Sequence, residues 1–453
     1  MASLNTTPFL KTRLLGLGFV FLFLLGSCNK SDNYKKLLTE SYYLIEANES
    51  LTETLVHDIF SPPVASRVYA YPSIAAYETA ALEAPDQYNS LMGQMNGSKP
   101  LSINPSNYSE ANFQLASLAA YYKIAIQLTF SEQFLTGQRD ALYKELKDAG
   151  MPEKEFQASI ELGDAVADEI MAYASEDNYH QSRSFGKYNV KNDLGTWKPT
   201  PPAYIEAIEP HWNKIRPFFL DSASQFAPDA PPAFDTIPSS TFYIDAKAVM
   251  DARININSEE EEIAFFWDCN PYKMNVKGHV MFAEKKITPG GHWMGIAGIA
   301  VKNKGLDWKG VAETMVTTSI YLFDGFISCW DEKYRSSLIR PETYINLYMD
   351  KNWLPLLQTP PFPEYTSGHS VVSSAAAEAL TRLLGEPFHF VDSTEIKFGL
   401  GVREFDSFRI ASEEAAISRF YGGIHYLPAI DNGVKQGKGV ANLINQKIKT
   451  RKE

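Results

Sequence analysis

Helical periodicity is the feature of this sequence that most restricts its fold. Apolar residues recur at three- and four-residue spacing through most of the chain, as on the buried face of an amphipathic helix, and strand patterns are sparse. We therefore predict an all-α fold, a helical bundle. The predicted helices are two between 34 and 82, separated at Ser61-Pro62-Pro63, and others over 109–148, 153–176, 257–269, 275–288, 308–330, 342–350, 369–384, 409–421 and 429–449.

Composition changes along the chain suggest three regions. Residues 1–28 form a targeting segment, 29–250 an N-terminal helical region with a long Pro-rich loop, and 251–453 a helical domain that carries the chemistry. The Pro-rich loop, about 178–245, is longer than most connections in compact proteins. Such a loop usually wraps the surface or lines the mouth of a site.

The N-terminus resembles a bacterial lipoprotein signal. Lys11 and Arg13 precede an apolar run that is too short to span a bilayer, and this run ends at small residues followed by Cys28. The resemblance implies that Cys28 is lipidated and anchors the mature chain to a membrane of the cell envelope, outside the cytoplasm. A plain signal peptide and an uncleaved anchor are the alternatives.

Charge and cysteine content exclude two classes of protein. The formal net charge of −12 argues against a nucleic-acid partner, whose phosphates attract basic surfaces. Lipidation of Cys28 would leave Cys269 and Cys329, so a disulfide framework is excluded and at most one bridge is possible. The sequence contains no Cys/His cluster with zinc-finger spacing.

Three short clusters in the C-terminal region carry groups suited to an anion. Lys333 and Arg340 are seven residues apart, so on a continuous helix they would lie on one face. Ser367 and Gly368 stand at the start of a predicted helix, where a hydroxyl and free N–H groups can bind an anion, and His369 follows directly. Each cluster alone would be an ordinary basic face or helix cap.

The third cluster contains Arg419 and His425. A continuous helix would place these residues on different faces, but Gly422-Gly423 between them can break the helix and return His425 to the side of Arg419. Taken together, the three clusters predict a site that holds a tetrahedral oxyanion and performs acid/base or nucleophilic chemistry.

The motifs Lys-x6-Arg-Pro, Ser-Gly-His and Ser-Arg-x5-His, in this order, resemble the signature of vanadium-dependent haloperoxidases and of acid and lipid phosphatases related to phosphatidic acid phosphatase. The resemblance implies a helical bundle of that type. It also implies that Lys333, Arg340, Ser367, Gly368 and Arg419 bind the oxygens of vanadate or phosphate. His369 would be the acid/base. His425 would be the axial group, which bonds vanadium in a haloperoxidase or forms a phosphohistidine intermediate in a phosphatase.

Two positions depart from the family pattern. Thr366 stands where proline is usual, and we expect this change to be tolerated. The phosphatase pattern places an Asp four residues after the second His, but Ala429 stands there and the acidic residue comes at Asp431. A ligand histidine normally needs an acceptor for its other ring nitrogen. We expect Asp431, Asp268 or a backbone carbonyl to provide it.

Two aromatic residues favour the peroxidase over the phosphatase. Trp330 and Phe362 resemble the aromatic wall of the halide pocket in haloperoxidases, where chloride-oxidising members carry Phe at the position of Phe362 and bromide-specific members carry His. Their alternative role is ordinary core packing. The favoured function is oxidation of halide by hydrogen peroxide, with an organic acceptor. The alternatives are a vanadate-free acid phosphatase acting on a phosphoester, and a lipoprotein that only binds.

Overall fold

The computed structural model describes residues 33–40, 42–277 and 279–452. Within these ranges the chain forms long helices, two short hairpins and extended loops, which confirms the prediction of an all-α fold. Cys28 and the predicted targeting segment lie outside the described residues.

The helices are α1 (Asn33–Glu40), α2 (Tyr43–His57), α3 (Pro62–Glu83), α4 (Phe113–Gln127), α5 (Glu132–Asp148), α6 (Glu153–Ser175), α7 (Tyr179–Ser182), α8 (Thr241–Ile254), α9 (Ser258–Phe266), α10 (Pro289–Lys304), α11 (Trp308–Ser336), α12 (Pro341–Tyr348), α13 (Gly368–Leu384), α14 (Phe408–Tyr421) and α15 (Leu427–Lys447).

The strands form two antiparallel hairpins. Strand β1 (Met274–Lys277) pairs with β2 (Val280–Ala283), and β3 (Phe390–Asp392) pairs with β4 (Arg403–Phe405). Strand β2 is mostly exposed, whereas Phe390 of β3 and Phe405 of β4 are buried in the hydrophobic core beside the helices.

Two helices at the centre of the molecule are buried on nearly all sides. Helix α3 packs against α4 and α11, and α11 is buried from its first turn to Lys333. A helix that is apolar all round is typical of a protein core rather than of its surface. One hydrophobic core therefore runs through both the N-terminal and the C-terminal helices.

The C-terminal helices form the bundle that carries the three motif clusters. Helix α13 lies against α11, α14 and α15, and α10 packs on α11 and α13. Small residues allow these close approaches. A Cβ on Gly437 of α15 would overlap with the carbonyl oxygen of Val371, so only glycine fits there.

The long irregular segment before α8 is anchored to the bundle. The buried carboxylate of Asp324, in α11, accepts backbone N–H groups from Phe218, Phe219 and Leu220 at 2.7–3.2 Å. One acidic side chain thus supplies the hydrogen-bond acceptors that this loop lacks internally, which is what a buried loop requires.

Several local predictions were wrong, among them the two helices between 34 and 82, which are three (α1, α2 and α3). The predicted helix at 275–288 is largely the β1–β2 hairpin, because its valine and phenylalanine residues flank a glycine in a short run typical of a hairpin. Residues 289–304, for which no helix was predicted, form α10, whose start is capped by the Thr288 hydroxyl. The predicted helix 109–148 is two helices, α4 and α5, and the Asp58 carboxylate accepts the N–H groups of Phe130 and Ser131 in the connection between them.

No helix in the described part of the chain combines the length and the apolar character needed to cross a bilayer.

Candidate active site

The three motif clusters meet around one small pocket of about 40 Å³, which Gly368, His369, Arg419 and His425 line directly. Its walls come from the ends of α11, α13 and α14, from the loop before α13, from the loop after α9, and from the first residue of α3. Its lining residues are Pro62, Cys269, Asn270, Pro271, Tyr272, Pro289, Phe326, Trp330, Pro360, Phe362, Gly368, His369, Arg419, Ile424 and His425.

Lys333 and Arg340 approach each other, but not along one helix as predicted. Helix α11 ends at Ser336, Ser337 adopts a left-handed conformation (φ 51°), and Arg340 precedes α12 in an extended conformation. Lys333 Nζ donates to the carbonyls of Pro363 (3.1 Å), Glu364 (3.0 Å) and Thr366 (2.5 Å). Arg340 Nε donates to the Phe362 carbonyl at 2.9 Å. The break after α11 therefore lets both cations reach the loop before α13.

The Ser-Gly-His cluster begins α13, as predicted. Ser367 is the N-cap, and its hydroxyl accepts the N–H of Ser370 at 3.3 Å. A Cβ on Gly368 would lie 3.9 Å from Lys333 Cε and 3.8 Å from the Trp330 ring, so this glycine sits between the cation and the aromatic wall. The first N–H groups of a helix carry partial positive charge and have no partner within the helix.

The glycine pair ends α14 and redirects the chain, also as predicted. Helix α14 stops at Tyr421, and Gly423 has a positive φ of 76° that favours glycine. His425 consequently faces the same pocket as Arg419. Arg419 Nη1 donates to the carbonyl of Trp267, which also accepts the N–H of Cys269 at 2.9 Å.

The acceptor for His425 is Glu364, a residue that the sequence analysis did not identify. His425 Nδ1 lies 2.7 Å from Glu364 Oε1, which also accepts the N–H of Tyr426 at 3.0 Å. The expectation of Asp431 or Asp268 was wrong, because Asp431 is exposed and Asp268 pairs with Lys286 at 2.8 Å. In the sequence, Glu364 could have been recognised as a candidate because it is a lone carboxylate in the aromatic run directly before the Ser-Gly-His motif.

Burial shifts the ionisation of the whole cluster toward neutral forms. Loss of hydration lowers the pKa of Lys333 to about 7 and the pKa of Arg340 to about 10, and it raises the pKa of Glu364 to about 7. Burial, together with the nearby arginines, holds the pKa values of His369 and His425 well below the usual range. Both imidazoles are therefore neutral at pH 7, and the pocket would be stabilised by an anion.

Several polar atoms of the pocket lack a partner although they are buried. They are Nη2 of Arg340, Nε of Arg419 and Nε2 of His369. The residue His369 keeps some exposed surface, and its ring is also hydrogen-bonded to the backbone of Trp267. Unpaired buried donors cost free energy and usually mark a ligand position. Two guanidinium donors, an imidazole nitrogen and a helix N-terminus together fit a tetrahedral oxyanion.

The two aromatic residues singled out from the sequence line this pocket. The rings of Trp330 and Phe362 lie 5.0 Å apart. The Phe362 ring also has Lys333 Nζ and the Arg340 guanidinium each 5.0 Å from its centre, an arrangement in which the ring face attracts positive charge. Trp330 Nε1 donates to the Ile208 carbonyl at 3.2 Å, so the long N-terminal loop helps to close the wall.

Thr366 is accommodated in place of the usual proline. Its hydroxyl donates to the side chain of Gln436 at 2.6 Å, and Gln436 in turn donates to Ser328. The substitution thus leaves no unpaired hydroxyl in the core, as a buried polar side chain requires.

Comparison with known proteins agrees with this geometry. Residues 346–452 match a family model described as the VCPO second helical-bundle domain. A bacterial vanadium-dependent iodoperoxidase of known structure is 48% identical, with a TM-score of 0.87, over 92% of this chain and 98% of that chain.

Two further bacterial structures share the fold at lower identity. The holo-type vanadium-dependent chloroperoxidase is 16% identical with a TM-score of 0.68, over 90% of this chain and 97% of that chain. The apo-type enzyme is 15% identical with a TM-score of 0.63, over 85% and 94%. Curated protein sequences contain no significant match.

The pocket geometry, the three motif clusters and the identity to the iodoperoxidase over nearly its full length lead to one conclusion: this chain belongs to the vanadium-dependent haloperoxidase superfamily.

Proposed function

We propose that this protein is a vanadate-dependent haloperoxidase that oxidises iodide with hydrogen peroxide. The observation that carries the proposal is the buried set of unpaired donors around His425, in a chain that is 48% identical to a bacterial vanadium-dependent iodoperoxidase. When bound, vanadate supplies a Lewis-acidic centre that activates peroxide toward a halide.

The cationic residues would hold the vanadate oxygens. Arg340 Nη2 and Arg419 Nε are the side-chain donors free to do so, and the N-terminus of α13 at Gly368 adds backbone N–H groups. The Ser367 hydroxyl stands at the same helix end. The ammonium of Lys333 braces the loop before α13 and contributes its positive charge, because its three donors already meet backbone carbonyls.

His425 has the protonation state that a metal-ligand imidazole would require. Its Nδ1–H donates to Glu364, so the proton-free Nε2 keeps a lone pair and faces Arg340 Nη1 at 3.1 Å. A carboxylate on the far nitrogen fixes the ring orientation and raises the basicity of the ligating nitrogen. Nε2 of His425 would therefore hold the vanadate, in place of its present contact with Arg340 Nη1.

His369 would act as the acid/base. Its low pKa keeps the ring neutral, and Nε2 has no partner, so it can accept a proton from hydrogen peroxide. Because burial, together with Arg419, disfavours the protonated imidazole, Nε2 would release that proton readily.

The wall formed by Trp330 and Phe362 would receive the halide. An apolar wall removes water from a halide ion and makes it a stronger nucleophile. Phenylalanine at position 362 matches the pattern of chloride-oxidising family members, whereas the 48%-identical relative is an iodoperoxidase. We favour iodide because that relative covers nearly the full chain. An organic acceptor would take the oxidised halogen.

We expect the protein to be anchored outside the cytoplasm through a lipid on Cys28. Substitution of Cys28→Ser should move it from the membrane fraction to the soluble fraction, because a lipid chain and not a helix would hold it there. Fractionation of cells that express either form measures this. Equal membrane content in both forms would contradict lipidation at Cys28.

The activity can be tested with two halves of one purified batch. The half given vanadate, hydrogen peroxide and iodide should iodinate a reporter, with lower rates for bromide and chloride. The half without vanadate should leave a generic phosphomonoester intact. His425→Ala should reduce iodination to the rate of free vanadate. Phosphoester hydrolysis that vanadate inhibits would instead identify an acid phosphatase.

Glu364→Gln should weaken vanadate binding about 10- to 100-fold, because His425 loses the carboxylate that orients it. Neutralising Glu364 makes the pocket more positive, so charge alone would predict tighter binding. Asp431→Asn is the matched control, since Asp431 is exposed. Titration calorimetry on both variants measures the difference. Unchanged or tighter binding in Glu364→Gln would remove Glu364 from the site.

Vanadate affinity should fall as pH rises above about 7. In the anion-free protein the pKa of Lys333 is lowered to about 7 by burial, and a bound anion raises it, so above pH 7 binding must take up a proton. The proton uptake by Lys333 lowers the vanadate affinity by up to about tenfold per pH unit. Lys333→Arg keeps its charge, so its affinity should depend less on pH. Identical slopes in both proteins would contradict a role for Lys333.

A further inference from the structure

Behind the wall of the pocket lies a second cluster of polar side chains that the proposed chemistry does not use. Cys269 follows α9, His292 lies in the first turn of α10, and Glu395 follows β3. All three are buried, with exposed fractions of 3%, 0% and 5%. Their ligand atoms lie within 4.8 Å of one another. The three residues are far apart in the sequence, which is why spacing did not predict a metal site.

The distances between these atoms suit a tetrahedral metal ion. His292 Nδ1 lies 3.4 Å from Cys269 Sγ and 3.2 Å from Glu395 Oε1. Metal–ligand bonds of about 2.0–2.3 Å at tetrahedral angles place ligand atoms about 3.3–3.6 Å apart. One imidazole nitrogen is thus flanked by a thiol and a carboxylate at the separations that a shared ion would produce.

The remaining nitrogen of His292 has the partner that metal-bound histidines usually have. His292 Nε2 lies 2.8 Å from Asp392 Oδ2, and Asp392 is itself held by the N–H and hydroxyl of Thr394 at 3.0 and 2.7 Å. A carboxylate on the far nitrogen directs the ring and leaves Nδ1 available as the ligand.

Glu395 supplies an independent indication of a ligand. Its Oε1 is buried and accepts no hydrogen bond of good geometry, although it lies close to His292 Nδ1. A single N–H on Nδ1 cannot donate well to both Cys269 Sγ and Glu395 Oε1. A cation between the three atoms would satisfy all of them.

We propose that Cys269, His292 and Glu395 form a binding site for a zinc ion, with Asp392 as the positioning residue of His292. The thiolate and the carboxylate would balance the charge of a divalent ion, and a thiolate ligand favours zinc over magnesium or calcium. Binding would release the protons of the thiol and of His292 Nδ1. Cys269 also lines the active-site pocket, which provides a path of entry.

The ion would stabilise the wall of the active-site pocket. It would join the segments after α9, at the start of α10 and after β3, which are separate in the sequence. The Trp267 ring stacks on His292 at 4.5 Å, and the Trp267 carbonyl holds both the Cys269 N–H and Arg419. The zinc site therefore lies two residues along the chain from Trp267, whose carbonyl contacts Arg419.

The test uses the purified protein after removal of metal with a chelator, without vanadate. Titration with Co²⁺ should give one equivalent of a thiolate-to-cobalt charge-transfer absorption, and Zn²⁺ should displace it. Cys269→Ser should abolish this absorption. Cys329→Ser is the matched control, because Cys329 is the other buried free cysteine and lies outside the cluster. Asp392→Asn should retain the absorption with about 10- to 100-fold weaker Zn²⁺ affinity.

Thermal unfolding provides a readout that does not depend on cobalt. Zn²⁺ should raise the unfolding midpoint of the wild-type protein and of Cys329→Ser, since an ion that binds the folded state stabilises it. It should leave the midpoint of Glu395→Gln nearly unchanged. Absence of a cobalt–thiolate absorption in the wild-type protein would overturn the proposal and leave the cluster as a buried imidazolium between two carboxylates. Persistence of the absorption in Cys269→Ser would also overturn it.

Discussion

Positive charge buried without matching negative charge is the constraint on which the active-site architecture depends. Lys333, Arg340 and Arg419 are each at most 2% exposed, and the group is only partly balanced by Glu364 and by Asp268, whose Oδ1 lies 3.9 Å from Arg419 Nη2. Burying a charge is costly unless it is paired or hydrogen-bonded. The chain compensates with backbone carbonyls, from Phe362 to Thr366 around Lys333 and Arg340, and from Trp267 at Arg419. The loop before α13 is thus shaped by the need to present its carbonyls inward.

The N-terminal helices and the loop after them also help to form the active-site pocket. Helix α3 packs along α11, whose last turn carries Lys333, and Pro62 at the start of α3 reaches the pocket. The loop that follows α7 is tied to α11 through Asp324 and to the aromatic wall through Ile208. A pocket that must exclude water needs walls on every side, and the C-terminal bundle alone leaves one side to these N-terminal segments.

Much of the helix pattern and the residues of the pocket could be predicted from the sequence, because both depend on local features. Apolar periodicity marks the helices, and the caps and the glycine pair are short signals around Ser367 and Gly423. The features that were not predicted depend on contacts between segments that are distant in the sequence. Glu364 is recognisable as the partner of His425 only once the chain is folded. The side chain of Asp58 contacts the connection between α4 and α5 from about seventy residues away, and Cys269 meets His292 only through packing. The predicted path of Lys333 and Arg340 failed for a different reason, since the left-handed residue at Ser337 ends α11 between them.

The backbone of Trp267 links two residues of the candidate site. The backbone of this one residue is hydrogen-bonded to Arg419, on α14, and to the ring of His369, on α13. A displacement of that peptide would therefore disturb contacts of two residues that line the pocket, Arg419 and His369. Substitutions in the loop after α9 should therefore be strongly epistatic with changes at either residue.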